Sequence, residues 1–145
     1  MKIPIKFKKT DPAAKLPVYS TEGSVGADLY SMKRYFIAPG QTAMIDTGLQ
    51  LAEMSLDYEL QVRPRSSLAV KHRVTVANTP GTIDGDYRGA CKVILINHGH
   101  APYVVQPGDR IAQLVVAPRT LGDFSFTKEV VDTERGAGGF GSTGK

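Results

Sequence analysis

Cysteine and histidine are scarce: Cys91 is the only thiol in 145 residues, and there are three imidazoles. A lone cysteine excludes an intrachain disulfide, and a structural zinc site would have to draw on the three histidines, whose spacing, including His98 and His100, matches no ligand set. Long apolar runs are missing too, so nothing approaches membrane-spanning length and no membrane partner is expected. Charges interrupt the apolar steps from Met1 to Lys9, which leaves no hydrophobic core for a secretory signal. The expected setting is reducing and cytoplasmic, or the nucleus or a host cell for a eukaryotic or viral source. A net charge of +4 is modest but uneven. Lys2, Lys6, Lys8, Lys9 and Lys15 crowd the start, and Arg63, Arg65, Lys71 and Arg73 the middle, which favours an anionic ligand. No segment reads as a groove-entering helix or a base-stacking strand, so nucleic acid is not the expected partner.

What is present is strand and turn. A chain of this length fits one domain that buries roughly 68–70% of its unfolded surface. Tyr58 to Arg63 alternates apolar and polar residues, as does Ile3 to Lys8, and both predict half-buried strands. Val93 to Ile96 is apolar throughout and predicts a strand buried on both faces. Pro39-Gly40, Pro80-Gly81 and Pro107-Gly108 suit tight turns, with proline at i+1 and a positive φ on glycine at i+2. The best helix is short, from Ser66 toward Lys71. Many short strands with regular turn signals and no internal repeat predict an all-β fold, a jelly-roll-like β-barrel over residues 1–134. Residues 135–145 differ: five glycines and one large apolar residue, Phe140, predict a flexible glycine-rich C-terminal tail whose backbone N–H groups can converge on phosphate.

Five segments carry polar chemistry. Gly26-Ala27-Asp28-Leu29 places a carboxylate at a strand start. Arg63-Pro64-Arg65-Ser66-Ser67-Leu68-Ala69 sets a guanidinium fork and two hydroxyls where a strand gives way to a helix, whose free N–H groups favour phosphate. Gly81-Thr82-Ile83-Asp84-Gly85-Asp86-Tyr87-Arg88-Gly89 reads as a turn or hairpin bearing two carboxylates and a ring, and one carboxylate could activate water. Gly108 to Leu114 puts the Gln113 amide in an apolar strand, where it needs a partner if buried. The tail adds Arg135 and Phe140. Taken singly, each residue has an ordinary structural reading: Asp84-Gly85 as a plain turn, Asp86 as a cap or a partner of Arg88, Tyr87 and Phe140 as core or rim aromatics, Arg65 as a surface charge, Gln113 as a satisfied amide, Asp28 and Asn78 as turn residues, and Cys91 as a small buried side chain.

In this order, across residues 26–144, the five segments resemble the five motifs of the homotrimeric dUTPases. The resemblance implies hydrolysis of dUTP to dUMP and pyrophosphate by a jelly-roll subunit, with active sites at the interfaces of a homotrimer, Mg2+ on the triphosphate and a tail that closes over the nucleotide. By matching position, Asp84 is the catalytic aspartate that orients and deprotonates the attacking water, and Tyr87 packs under the deoxyribose and leaves no room for a 2′-hydroxyl. Asn78, with the backbone of Gly81, Thr82, Ile83 and Asp84 and near Lys92, reads the uracil edge. Arg65, Ser66 and Ser67 form the phosphate turn, Gln113 contacts the triphosphate, and Asp28 is linked to the metal through water. In the tail, Arg135 and Gly141-Ser142-Thr143 reach the γ-phosphate and Phe140 stacks on uracil.

Two positions depart from the family pattern: Ser67 where many members have glycine, and Ala90 where many have glutamate. The rivals are a dCTP deaminase and a non-catalytic nucleotide-binding protein on the same scaffold. Deaminases share the Arg-Ser-Ser turn seen at Arg65 to Ser67, but carry a catalytic glutamate in the strand that here reads Val93-Ile94-Leu95-Ile96. A non-catalytic relative would have lost Asp84 or the tail. Gly139 to Lys145 has P-loop spacing, yet nothing follows it to form the required helix.

Overall fold

The computed structural model describes residues 2–142. Eleven strands run β1 Lys6–Lys9, β2 Val18–Tyr19, β3 Ala27–Tyr30, β4 Tyr35–Ile37, β5 Thr42–Glu53, β6 Tyr58–Arg63, β7 Val74–Val76, β8 Gly81–Ile83, β9 Ala90–Asn97, β10 Tyr103–Val105 and β11 Arg110–Pro118, with one helix, α1, at Ser66–His72. They form a four-stranded sheet, β1-β5-β9-β7, a five-stranded sheet, β2-β3-β11-β6-β8, and the pair β10-β4. Every pairing is antiparallel. This is the jelly-roll-like, all-β architecture expected, but its sheets stay open and do not close into a barrel.

Alternation explains the core. In β6, Leu60 and Val62 point inward, and in β9, Cys91, Val93, Leu95 and Asn97 do so. They join Leu49 and Leu51 of β5 and Ile111 and Leu114 of β11 in one cluster. Asn97 is the polar exception and is satisfied, with its amide donating to the Ile37 and Ala101 carbonyls at 2.9 and 2.8 Å and accepting from the Gly99 N–H.

Three local expectations change. Ile94 and Ile96 on β9 are only half-buried, and Met44, paired opposite Ile94, is 57% exposed, so within one chain the outer face of this sheet carries a partly exposed apolar patch. Gly40 (φ 74°) and Gly108 (φ 84°) take the turn conformation, whereas Gly81 begins β8 after a cis Thr79–Pro80 bond. A Cβ there would lie 3.2 Å from Asn78 Nδ2 and 3.3 Å from Val62 Cβ, so glycine serves close packing at this position. The N-terminal strand starts at Lys6 rather than Ile3.

After β11 the chain leaves the body. From Pro118 to Ser142 every residue but Gly138 and Gly139 is exposed, and Phe124 and Phe126 stand at 94% and 108%. The tail expected from residue 135 lies within this arm, along which Leu121, Val130 and Val131 are also exposed.

Candidate functional site

β8 pairs with β6 and delivers Asp84 just beyond Ile83, which lies opposite Leu60. A turn follows, closed by the Tyr87 N–H donating to the Asp84 carbonyl at 3.0 Å, and β9 then returns beside it. Between them lies a cleft of about 160 Å³ lined by Thr82, Ile83, Asp84, Tyr87, Ala90, Cys91 and Lys92. Drug-sized pockets run roughly 300–1,000 Å³, so this one suits a single base, with sugar and phosphates outside it. Asn78 and Gly81 do not line it; they pack against each other at the β7–β8 turn. Burial pushes the Cys91 thiol up, against a hydrogen bond from the Leu51 backbone, which suits an inert wall residue.

The phosphate-turn candidates gather elsewhere, around Asp28. In register, Asp28 of β3 faces Gln113 of β11, which faces Arg63 of β6. Arg65 Nε lies 3.2 Å from Asp28 Oδ1, and Arg110 Nη1 lies 3.3 Å from Oδ2. Ser20 Oγ and Gln113 Nε2 also donate to this carboxylate, at 3.2 and 3.4 Å. The Asp28 side chain is 3% exposed, and two cations and two neutral donors meet the cost of burying its charge. The result aims Arg65, itself 18% exposed, with Nη2 still free of any partner among the described residues. Gln113 lies over Gly26, where a Cβ would come within 2.9 Å of Gln113 Cβ. Beside this knot α1 begins at Ser66 without a side-chain cap or an acidic first turn, an N-terminus of the kind that favours negative charge.

The two groups do not meet within one chain. Asp84 emerges beside Glu59 at the start of β6, and Arg65 lies past its other end, roughly 20 Å away at strand rise. In the arm, Arg135 Nε donates to the Gly138 carbonyl at 2.8 Å, and Arg135, Phe140, Gly141 and Ser142 line a hollow that shares no residue with either group. Phe140 is 115% exposed, and Thr143 lies outside the described residues. No three His, Cys, Asp or Glu side chains among the described residues converge as a metal site.

The sequence marked no role for Arg110 or Ser20. Arg110 stood inside a quoted motif without a role; its partner Asp28 is reached only through the β3–β11 pairing. Arg88 does not pair with Asp86: its Nη1 donates to the Gly85 and Tyr87 carbonyls, at 2.9 and 3.0 Å.

The dUTPase family model matches residues 13–144. The chain is 50% identical to the deoxyuridine 5′-triphosphate nucleotidohydrolase of Nautilia profundicola, over 97% of this chain and 99% of that protein. It is 49% identical to the enzyme of the same name from Wolinella succinogenes, over 99% and 96%. Among solved structures, the fold matches the dUTPase of Staphylococcus bacteriophage 80alpha with dUpNHpp at a TM-score of 0.88 and 22% identity, covering 98% of this chain and 99% of that one. A phage phi11 dUTPase, described with a structural Mg(II) ion, matches at 0.79 and 18%, over 87% and 97%.

Proposed function

The chain belongs to the dUTPase family, and from that premise we propose that it hydrolyses dUTP to dUMP and pyrophosphate, with Asp84 as the base that aligns and deprotonates the attacking water. The observation that carries this reading is the cleft in which Asp84, Tyr87 and Lys92 stand around a base-sized space. Water must attack the α-phosphorus in line with the departing pyrophosphate, so the reaction needs a base, charge neutralisation and positioning. Asp84 at the rim of the base cleft supplies the first. Arg65, aimed by Asp28, with Ser66, Ser67 and Gln113, supplies the second. Tyr87, beside Asp84, takes the deoxyribose, while Asn78 and the hairpin from Gly81 to Asp84 take the uracil edge.

A distance of roughly 20 Å between Asp84 and Arg65 cannot serve one phosphorus within a single chain. Two copies can, if the hairpin of one faces the Asp28–Arg65 knot of the next. The partly exposed apolar patch at Met44, Ile94 and Ile96 and the exposed apolar residues of the arm after Pro118 give such copies surfaces to bury, which supports the homotrimer with interface sites. The third contribution is the tail: Arg135, Gly141, Ser142 and Thr143 on the γ-phosphate and Phe140 on the base. Magnesium enters only as the companion of the triphosphate. The described residues build no cage for it, and Asp28 is already committed to Arg65 and Arg110, so the chain's share of the chemistry rests on its own side chains.

The deaminase alternative is disfavoured because β9, Ala90 to Asn97, carries no carboxylate. A test of the cleft assignment is Tyr87→Ala. With the ring gone, UTP should be accepted, and the ratio of kcat/KM for dUTP over UTP should fall by about tenfold or more. An unchanged ratio in an active variant would place the sugar gate elsewhere.

A further inference from the structure

A ring can exclude a 2′-hydroxyl only if it is held in place, and Tyr87 is 45% exposed, with much of its surface free of packing. Its placement comes from the next residues in the chain. The Asp84–Tyr87 turn is locked by its own 3.0 Å hydrogen bond and by Arg88, which donates to the Gly85 and Tyr87 carbonyls. Gln50 on β5 donates in turn to the Arg88 carbonyl, which ties the turn to the four-stranded sheet. The ring then folds back across Gly89, and its hydroxyl donates to the Ala90 carbonyl at 3.2 Å. A Cβ at position 89 would overlap the Tyr87 hydroxyl and Cζ and stand 2.9 Å from Cε2. Gly89 has no positive φ, so its backbone does not demand glycine; the space does.

We propose that Gly89 is a specificity-determining residue, whose missing side chain is the floor on which Tyr87 lies and so sets discrimination between deoxyribose and ribose. This rests on the reading of Tyr87 as the sugar gate. The atoms a methyl would strike belong to the far end of an exposed side chain, so the ring swings away and the fold survives. Gly89 is thus a positioning residue acting through Tyr87.

The test is a double-mutant cycle on the dUTP over UTP ratio of kcat/KM, with the melting temperature followed in parallel. Gly89→Ala should lower the ratio by about tenfold with little change in melting temperature. In a Tyr87→Ala background the same change should add nothing, since no ring remains to displace. If Gly89→Ala unfolds, the double variant Gly89→Ala/Tyr87→Ala should still fold, because no ring remains to overlap the methyl; its failure to fold overturns the proposal. An unchanged ratio in Gly89→Ala, or an equal fall with and without the ring, also overturns it. If Tyr87→Ala alone leaves the ratio unchanged, the gate reading falls and takes this proposal with it.

Discussion

Asp84→Asn should lose about 10²–10⁴-fold in dUTP turnover, the range a positioned acid–base group contributes, while fold and nucleotide affinity persist. The amide keeps the shape of the carboxylate at the end of β8 but is a poor proton acceptor. The fall should therefore appear in kcat and kcat/KM alike, the signature of an interaction made in the transition state. Near-wild-type turnover would remove Asp84 from the role of base. The same variant tests the assembly. If Asp84 and Arg65 of one site come from two copies, mixing inactive Asp84→Asn and Arg65→Ala chains in equal amounts, with refolding, should rebuild about a quarter of the sites. A site made within one chain would regain nothing.

Truncation after Glu134 should cost on the order of 10²-fold in dUTP turnover while leaving fold and assembly intact, because none of the described residues beyond that point is buried and the misplaced triphosphate loses its near-attack geometry. Without Arg135 and Phe140 the γ-phosphate is loosely held, and water enters over the base. Ordering the tail costs backbone entropy, roughly 1–2 kcal/mol per residue fixed, so closure requires the full set of phosphate contacts. The product dUMP should accordingly protect the tail from protease less than a non-hydrolysable dUTP analogue does. Equal protection by both ligands would contradict a lid triggered by the γ-phosphate, and full activity of the truncated chain would contradict a lid of any kind.

The elements that alternation or a turn signal marks were legible in the sequence: β6, α1, and the turns at Gly40 and Gly108. The hairpin cleft was legible as well, since Asp84 and Tyr87 lie close in sequence and a local turn suffices to join them. Long-range pairing was not. Asp28 carries no local sign that Arg65 and Arg110 will converge on it, because those contacts exist only once β3, β11 and β6 lie in register. The β9 run misled for a related reason: apolar residues on both faces of Val93 to Ile96 do not say whether the second face meets the same chain or another copy. Gly81 shows the limit of turn rules, since a Pro-Gly pair also fits a strand start that Asn78 and Val62 crowd from either side.

The central claim, that this is a dUTP-specific diphosphatase, meets its most direct test in pyrophosphate release measured side by side with dUTP, dCTP, dTTP and UTP. A site built to pair with the uracil edge rejects cytosine, which leaves those groups unpaired, by roughly 10⁴–10⁵-fold. In contrast, dTTP and UTP share that edge and are refused instead by the 5-methyl against the base-sized cleft and by the 2′-hydroxyl against Tyr87. The account predicts rapid release from dUTP and little from the other three, with no ammonia from dCTP. Comparable release from dCTP or UTP, or ammonia and dUTP formed from dCTP, would contradict it.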